Sequence, residues 1–426
     1  MQKTFTGFGF GPIQGALFLL EAYRSGNFSR YVVAEVDRNL VEAVRANGGC
    51  YAVNIAHQTG IESVRLEGVE LCHPEEAAER ETLLSAIAES DEISTALPSV
   101  RFYDVGNETS VARLVAAGIE QRNSTQPTIV YASENHNHAA ELLEESLRRY
   151  LPERHIANVQ TLNTVIGKMS GVITDEATIE RMGLETITPE IRRAILVEEF
   201  NRIFISRIEL PDYRRGIDVF VEKRELLPFE EAKLYGHNAI HALMAYLADL
   251  RGLAVMSEVI KHDDIMEIAR RAFIDESGET LIVRHRELGD ELFTPEGYRG
   301  YAEDLLQRMV NPYLNDLVER VGRDHVRKLG YEDRIYGTMH LALRHGVEPV
   351  NMALGAAAGI VCLIRRADEQ GALSGITLPA GEAVLTRESL AELLLCIWKE
   401  KADVEAEKLI DLTWQGFQRL ERDGWL

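Results

Sequence analysis

A glycine-rich turn between a predicted strand and a predicted helix constrains the fold of this chain more than any other segment. In TFTGFGFGPIQGALFLLEA, residues 4–22, a short apolar run leads into the turn and an amphipathic run leaves it. Backbone N–H groups of such a turn, together with the N-terminus of the helix, can hold a pyrophosphate. We therefore predict a dinucleotide-binding loop. Its residues are Gly7, Gly9, Phe10, Gly11, Pro12 and Ile13.

The loop departs from the usual Gly-x-Gly-x-x-Gly pattern at the third glycine. When the pattern starts at Gly7, Pro12 takes that position, and proline has no N–H group to donate to a phosphate. We therefore expect this loop to bind its phosphates differently from the standard one.

Glu35 ends the second predicted strand, in YVVAEVD. An acid at this position usually accepts hydrogen bonds from the adenosine ribose, and its charge repels a 2′-phosphate. The sequence therefore predicts NAD as the cofactor and disfavours NADP. The alternative, in which Arg38 faces a 2′-phosphate, stays open at this point.

Strand and helix patterns alternate through the first part of the chain and give way to helices in the second. Alternation with short connections predicts βαβ units around a parallel sheet. From about residue 190 the strand signals thin out, and PFEEAKLYGHNAIHALMAYLADLRG predicts a long helix from Pro228 to Gly252. We expect an α/β protein with a Rossmann-type dinucleotide-binding domain over 1–190, followed by a mostly α-helical substrate and catalytic domain over 191–426.

The charge balance excludes two classes of partner. Asp and Glu outnumber Lys and Arg by 68 to 46, which gives a formal charge of −22. Such a surface repels a phosphate backbone and an anionic membrane leaflet. We expect a small-molecule substrate, no nucleic acid and no membrane, in a monomer or small homo-oligomer.

The four cysteines and the N-terminus predict a cytoplasmic protein. None of the cysteines forms a Cys-x-x-Cys pair, so we expect buried free thiols in a reducing compartment. The N-terminal residues do not match a signal peptide, and no apolar stretch is long enough to span a bilayer. The cysteines are Cys50, Cys72, Cys362 and Cys396.

The long predicted helix carries a Lys-x4-Asn-x2-His pattern made by Lys233, Asn238 and His241. On an α-helix, Asn238 lies about 140° and His241 about 80° around the axis from Lys233. The three polar groups therefore share one broad face. A desolvated lysine can accept the proton of an alcohol, and an amide and an imidazole can hold its oxygen. A solvated helix face remains the alternative, and His237 has no role in the pattern and is expected at the surface or in a contact between domains.

The sequence resembles the polyol-specific long-chain dehydrogenase/reductase family. KLYGHNAIHALMAYL is similar to the catalytic helix of that family, and NPYLNDLVERVGRDHVRKL followed by EDRI resembles a second signature block. A weaker likeness runs through Ala132-Ser133-Glu134-Asn135 and the N-terminal region. The resemblance implies metal-independent hydride transfer between NAD(H) and a sugar alcohol, or its phosphate, and a ketose, with the substrate held between the domains.

Matched positions give each residue an implied role. The resemblance makes Lys233 the general acid/base, Asn238 and Asn135 the amides that polarise the reacting oxygen, and His241 a group that orients substrate hydroxyls. It further implies two groups of contacts. Arg320 and Lys328 would hold the polar end of the substrate, and Thr95, Ala96 and Leu97 would pass close to the nicotinamide ribose.

Two departures from the family, one in the glycine loop with its Phe10 and Pro12 and one further along the chain, keep three functions open. Where the family usually has an Asp-Arg pair, this chain has Gly167 and Lys168. The leading expectation is an NAD-dependent polyol or polyol-phosphate dehydrogenase acting on CH–OH donors. A keto-uronate reductase, in which Arg320 or Lys328 meets a carboxylate, is the second. A non-catalytic NAD-binding module is the third.

Overall fold

The computed structural model of the chain describes residues 3–122, 126–199, 202–366, 385–399 and 404–426. The chain divides into two compact units, Met1–Phe229 and Glu230–Leu426. The sequence places the division some forty residues earlier, near residue 190. The difference arises because the intervening segment contains short strands that pair with earlier ones, and strands of three to five residues leave little periodic signal.

Strands dominate the first unit. They are β1 (Lys3–Phe8), β2 (Phe28–Ala34), β3 (Tyr51–Ala56), β4 (Ile61–Leu66), β5 (Val69–Cys72), β6 (Ser90–Thr95), β7 (Thr128–Ala132), β8 (Val159–Val165), β9 (Ser170–Ile173), β10 (Ala194–Glu198), β11 (Phe204–Ser206) and β12 (Val221–Lys223). The larger sheet has the order β12-β11-β8-β7-β6-β1-β2-β5, and the smaller one has the order β4-β3-β10-β9. In the smaller sheet, β10 runs parallel to β3, which ties the chain after residue 190 to the first unit.

The central strands of the larger sheet confirm the Rossmann-type prediction. Strands β5, β2, β1, β6, β7 and β8 are all parallel. When these six strands are numbered 1 to 6 by their order along the chain, their order across the sheet is 3-2-1-4-5-6. This is the dinucleotide-binding arrangement, and its ligand crevice opens at the carboxyl ends of strands 1 and 4. The fourth strand is β6, so the turn after β1 and the residues after β6 flank that crevice.

Helices cover both faces of the larger sheet. Those of the first unit are α1 (Leu19–Ser25), α2 (Arg38–Ala46), α3 (Ala77–Glu89), α4 (Val111–Glu120), α5 (Ala139–Arg148), α6 (Glu153–Ile156) and α7 (Glu176–Met182), with a π-helical segment (Gln14–Phe18) preceding α1. Neighbouring strand residues enter opposite cores, because successive side chains of a strand alternate between faces. Tyr131 packs with α1 and its π segment, whereas Val130 packs with α3 and α4.

The described part of the second unit is helical, as the sequence predicts. Its helices are α8 (Leu227–Glu231), which crosses the division, α9 (Ala239–Leu250), α10 (Asp263–Arg271), α11 (Glu279–His285), α12 (Pro295–Met309), α13 (Val318–Gly322), α14 (His325–Lys328), α15 (Tyr336–Arg344), α16 (Val350–Arg365), α17 (Arg387–Ile397) and α18 (Val404–Arg422). Helix α16 is buried on all sides from Asn351 to Ile364, so it forms the centre of this unit.

The predicted long helix is present, but its middle is not α-helical. Helix α8, a π segment (Ala232–Asn238) and α9 follow one another without a break. At the C-terminal end Gly252 has a φ of 70°, and the N–H of Leu253 donates to the carbonyl of Ala248 at 3.0 Å. This is the glycine-terminated end that the sequence predicts.

The structure bears on two further expectations, one about membrane-spanning helices and one about the cysteines. Within the described ranges no helix is both long and apolar enough to cross a membrane. All four cysteines are thiols rather than halves of disulfides, and Cys72 and Cys362 are buried as expected. The prediction is wrong for Cys396, which is exposed, and for Cys50, which is half-buried. Apolar neighbours along a helix do not bury a position that faces away from the core.

Candidate active site

The glycine turn lies between β1 and the helix that follows it. Strand β1 ends at Phe8, and Pro12 begins the helix, where its fixed φ and missing N–H are tolerated. Gly9 has a φ of 80°, and a Cβ atom there would lie 2.8 Å from the carbonyl oxygen of Ala96. The Gly-x-Gly-x-x-Gly pattern therefore starts at Gly9, two residues later than the sequence interpretation, and Gln14 takes its third position.

Gly7 compensates for the side chain at that third position. Gln14 is fully buried, and its Oε1 accepts a hydrogen bond from Ser94 Oγ at 2.8 Å. A Cβ atom on Gly7, which lies in β1, would approach Gln14 Nε2 to 2.3 Å. Gly7 thus allows the helix to pack on the strand, while Gly11 and Ile13 are the residues of the turn whose N–H groups can face a phosphate.

Glu35 is held by three backbone N–H groups at the end of β2. Its Oε2 accepts from Phe10 at 2.7 Å, and its Oε1 accepts from Val36 and Asp37, also at 2.7 Å. The carboxylate thus fixes the glycine turn and keeps lone pairs for ribose hydroxyls. These features, with the space that Gly9 leaves beside Ala96, fit a dinucleotide.

Arg38, three residues after Glu35, forms an ion pair with an acidic side chain. Its Nη2 lies 2.5 Å from the Glu76 carboxylate, and both side chains are exposed. An arginine engaged by an acid is less able to balance a 2′-phosphate, so this contact weakens the NADP alternative that the sequence leaves open.

The residues after β6 and β7 meet at the same edge of the sheet. Glu134 is buried and accepts hydrogen bonds from Thr95 Oγ1 and the Leu97 N–H, both at 2.9 Å, and from the Tyr103 hydroxyl. Burial raises the pKa of the Glu134 carboxyl. Glu134 therefore shapes the 95–97 segment, a role that sequence reasoning missed although this acid precedes Asn135. Asn135 itself is exposed.

Lys233 and Asn238 lie in the π segment of the second unit. In a π-helix each N–H bonds the carbonyl five residues back, so a turn holds more residues than in an α-helix, and residues five apart lie closer around the axis. Lys233 and Asn238 are five apart, which aligns them more closely than the α-helical estimate of about 140°. His241 follows Asn238 by three residues, in α9, on the neighbouring position of the same face.

Tight packing fixes the shape of this π segment. Gly236 faces the aromatic side chains of a second π segment (Ala272–Gly278) and of α12, and a Cβ atom on it would lie 2.8 Å from Tyr298 Oη and 2.9 Å from Phe273 Cε2. A larger residue would push the helix away from these rings. Gly236 therefore keeps the Lys233 helix in register.

Burial and neighbouring cations lower the pKa of several basic groups here. Burial first, and then Arg334, lower the pKa of Lys233 to about 8, although Glu230 acts in the opposite direction. Burial lowers the pKa of His241 to about 4, and it lowers that of His237 as well. His237 is 5% exposed, so of the two positions expected for it, the surface and a contact between domains, the surface position is wrong.

Two predicted substrate contacts and one missed residue add positive charge to the same unit. Arg320 is 44% exposed and forms an ion pair with Asp316. Lys328 is buried and donates to the carbonyl of Val321, and burial lowers its pKa to about 7. Arg334, in the EDRI segment, lowers the pKa of Lys233, His241 and Lys328. Sequence reasoning quoted that segment but gave Arg334 no role.

The Gly167-Lys168 segment belongs to the first unit, next to β9. Lys168 is buried, and its Nζ donates to the backbone carbonyl of Glu198. Its ammonium group therefore satisfies the main chain of β10. Over the residues that the structure describes, no three His, Cys, Asp or Glu side chains are grouped so as to hold a metal ion.

Comparisons with known proteins agree with this geometry. Residues 225–402 match the family model of the mannitol dehydrogenase C-terminal domain. The chain is 30% identical over 289 residues to mannitol-1-phosphate 5-dehydrogenase of Halalkalibacterium halodurans, covering 67% of this chain and 70% of the relative. It is 27% identical over 355 residues to the enzyme of that name from Exiguobacterium sibiricum, covering 83% and 84% of the two chains.

Two solved structures share the fold over the whole chain. A substrate-free D-sorbitol dehydrogenase has a TM-score of 0.76 at 14% identity and is covered over 94% of its length. Mannitol 2-dehydrogenase of Pseudomonas fluorescens, solved as a ternary complex with NAD and D-mannitol, has a TM-score of 0.69 at 16% identity and is covered over 93%. Together with the sequence relatives, these findings confirm the family resemblance. The chain belongs to the mannitol dehydrogenase family and is an oxidoreductase with an NAD-binding fold.

Proposed function

We propose that this oxidoreductase uses NAD to interconvert a polyol phosphate and the corresponding ketose phosphate, with Lys233 as the general acid/base. The observation that carries the proposal is a half-buried lysine whose pKa is lowered to about 8, in a π segment that it shares with Asn238. A base with a pKa near the working pH transfers protons most effectively.

Oxidation requires a hydride and a proton to leave the substrate. NAD, held by the glycine turn and Glu35, would supply the acceptor for the hydride that leaves the carbinol carbon. Lys233 Nζ takes the hydroxyl proton when the amine is neutral, and returns it to the carbonyl oxygen in the reduction. The amide of Asn238, one π turn away, is positioned to donate to that oxygen as its negative charge develops. Asn135, from the first unit, is proposed as the second amide.

Cofactor preference is proposed from the turn and Glu35. Gly11 and Ile13 offer N–H groups to the pyrophosphate at the start of a helix. Glu35 accepts from the ribose hydroxyls, and its charge disfavours a 2′-phosphate. The 95–97 segment, held by Glu134, follows β6 on the opposite side of β1 from Glu35, and we propose it as the contact of the nicotinamide ribose.

A phosphate on the substrate is supported by the cations of the second unit and by the names of the relatives. Arg320, Lys328 and Arg334 all lower the pKa of His241, so three basic groups lie near it in a protein whose formal charge is −22. Guanidinium groups bind phosphate through two parallel hydrogen bonds. Both sequence relatives described above are named as dehydrogenases of a hexitol phosphate.

A substrate panel tests this function. With NAD, oxidation rates are measured for three kinds of compound: mannitol 1-phosphate, the neutral hexitols mannitol and sorbitol, and the polyhydroxy acids that result from reduction of keto-uronates. Thermal shifts are recorded for the same ligands. The proposal predicts a kcat/KM for the hexitol phosphate at least about tenfold above that of the neutral hexitols, the factor that 1.4 kcal/mol of phosphate binding produces. Preference for the carboxylate-bearing compounds would identify a keto-uronate reductase instead. Thermal shifts with NAD but no turnover of any compound would identify a non-catalytic module.

A further inference from the structure

A buried carboxylate touches two of the proposed substrate-binding side chains at once. Asp316 is 5% exposed and precedes α13. Its backbone carbonyl accepts from the Met256 N–H at 2.8 Å, and the next residue, Leu317, forms an antiparallel bridge with Val255. The main chain therefore fixes the position of the carboxylate.

The two oxygens of Asp316 have different surroundings. Oδ1 accepts from Arg320 Nε at 3.0 Å and from Arg320 Nη2 at 2.6 Å. Oδ2 lies 3.4 Å from His241 Nε2. Both of these facing atoms are buried, and neither forms a hydrogen bond with any described residue. The two atoms therefore approach each other electrostatically without forming a hydrogen bond.

This arrangement selects one tautomer of His241. The nearby carboxylate repels a lone pair on Nε2, whereas its charge attracts an N–H on Nε2 even without a hydrogen bond. A buried donor or acceptor without a partner typically costs about 1–3 kcal/mol. The neutral imidazole then carries its proton on Nε2 and its lone pair on Nδ1. In that form His241 accepts a hydrogen bond from a substrate hydroxyl at Nδ1.

The same carboxylate sets the direction of Arg320. Because Oδ1 holds Nε and Nη2, the guanidinium plane is fixed on one side, and no hydrogen bond among the described residues uses Nη1. The outer edge of a fixed guanidinium can receive an anion with little further loss of side-chain entropy.

We propose that Asp316 is a positioning residue that holds His241 as the Nε2–H tautomer and directs Arg320 toward the anionic end of the substrate. This rests on the proposed function, because it assigns the purpose of both side chains to a polyol phosphate. One carboxylate thus couples recognition of a hydroxyl to recognition of the charged group.

Nitrogen NMR on the intact protein labelled with ¹⁵N-histidine tests the tautomer directly. His241→Gln identifies the His241 signals among the twelve histidines. The unmodified protein is expected to show a neutral Nε2–H imidazole between pH 6 and 8. In Asp316→Asn, the amide oxygen stays with Arg320 and the NH₂ group faces Nε2, so the signal should switch to the Nδ1–H form. A Nδ1–H form in the unmodified protein, or no switch in the variant, overturns the proposal.

Kinetics of the same variants separate positioning from mere stability. Outer hydrogen-bond partners of metal-bound histidines typically contribute about 10- to 100-fold, and we expect Asp316→Asn to lower kcat in that range while KM for the phosphate changes little. Asp316→Ala, which releases Arg320 as well, should also raise that KM. Asp249→Asn is the matched control, because Asp249 pairs with Arg366 at 2.6 Å near the far end of α9. Its kcat and KM should stay at the unmodified values.

The two ideas fail in different ways. If the tautomer switches but the unmodified protein oxidises no polyol or polyol phosphate, the proposed function fails and the assignment of Asp316 stands. If the substrate panel succeeds but Asp316→Asn keeps both the tautomer and the kcat of the unmodified protein, the function stands and the role of Asp316 is refuted.

Discussion

Two regions of the molecule are built from different kinds of groups. The first, the nucleotide edge, is the glycine turn with Glu35 in the first unit. The second, the lysine helix, is the helix of the second unit that carries Lys233, together with the side chains around it. At the nucleotide edge, the groups suited to the cofactor are backbone N–H groups of the glycine turn and the carboxylate of Glu35, all at the ends of parallel strands. At the lysine helix, the groups are side chains. They come from the π segment, from a loop and from two short helices, and they include Lys233, Asp316 and Arg320.

The difference separates binding from turnover. Backbone donors at strand ends keep a fixed geometry and no titratable group of their own, so that region is suited to hold a cofactor. Desolvation changes the proton affinity of side chains, and at Lys233 it brings the pKa to about 8. Substitutions at the nucleotide edge should therefore change affinity for NAD, and substitutions on the lysine helix should change kcat.

Removing the lysine should give the largest effect. Lys233→Ala is expected to lower kcat by about 100- to 10,000-fold, because general acid–base catalysis contributes that much, while the Kd for NADH stays nearly constant. Steady-state rates and NADH fluorescence titration measure the two quantities. Lys261→Ala, at an exposed lysine of the same unit, is the control and should match the unmodified protein. If the affinity for NADH fell by as large a factor as kcat, the separation of cofactor binding from turnover would be contradicted.

Glu35→Gln comes next and should act on the cofactor. The glutamine oxygen can still accept from the N–H of Phe10, but the charge is lost. A hydrogen bond to a charged group contributes about 1.5–3 kcal/mol, so the Kd for NAD should rise by about 10- to 150-fold and the preference over NADP should shrink. Turnover at saturating NAD should change little. Tighter binding of NADP than NAD by the unmodified protein would refute the role of Glu35.

Gly9→Ala and Gly26→Ala form a matched pair with a smaller effect. Both positions have a positive φ, which costs a residue other than glycine about 1–2 kcal/mol. Only at Gly9 does the added Cβ approach another group, the carbonyl of Ala96 at 2.8 Å, whereas Gly26 has open space. Both variants should unfold at lower temperature, but only Gly9→Ala should weaken NAD binding, by about 5- to 30-fold. Equal NAD affinities in the two variants would contradict the placement of the turn.

Salt should produce the smallest change. Arg320 is partly exposed, so its attraction for an anionic substrate is screened by ions. Between low salt and about 0.5 M NaCl we expect kcat/KM for a polyol phosphate to fall by about 2- to 5-fold, as for exposed ion pairs. The neutral polyol is the comparison, and its kcat/KM should not change. An equal decrease for both substrates would argue against an anion contact.

The fold and the nucleotide edge were accessible from the sequence, and the lysine helix only in part. The strand–turn–helix pattern and Glu35 predict the parallel sheet and its crevice because both depend on local backbone pattern. The starting glycine was missed because Gly7 lies inside β1, which ends at Phe8. At the lysine helix, spacing identified Lys233, Asn238 and His241, but α-helical angles could not reveal a π segment, which depends on packing around Gly236.

Residues brought in by tertiary structure left weaker signals. Asp316 and Arg320 are four residues apart, a spacing typical of an ion pair on a helix, yet nothing in it indicates that Oδ2 faces His241 from another element. Glu134 stands beside Asn135, but its partners Thr95 and Tyr103 come from distant segments. Long-range contacts of this kind have no local sequence pattern.

The pH dependence of kcat in both directions tests the central claim, proton transfer by Lys233, most directly. Oxidation needs the neutral amine, so its kcat should rise with pH through about 8 and then level off, whereas reduction needs the ammonium form, so its kcat should fall over the same range. The Lys233→Ala variant should lose this midpoint in both directions, and Lys261→Ala should keep it. A midpoint near the ordinary lysine value of about 10.4, or a midpoint near 8 that survives in Lys233→Ala, would contradict the account.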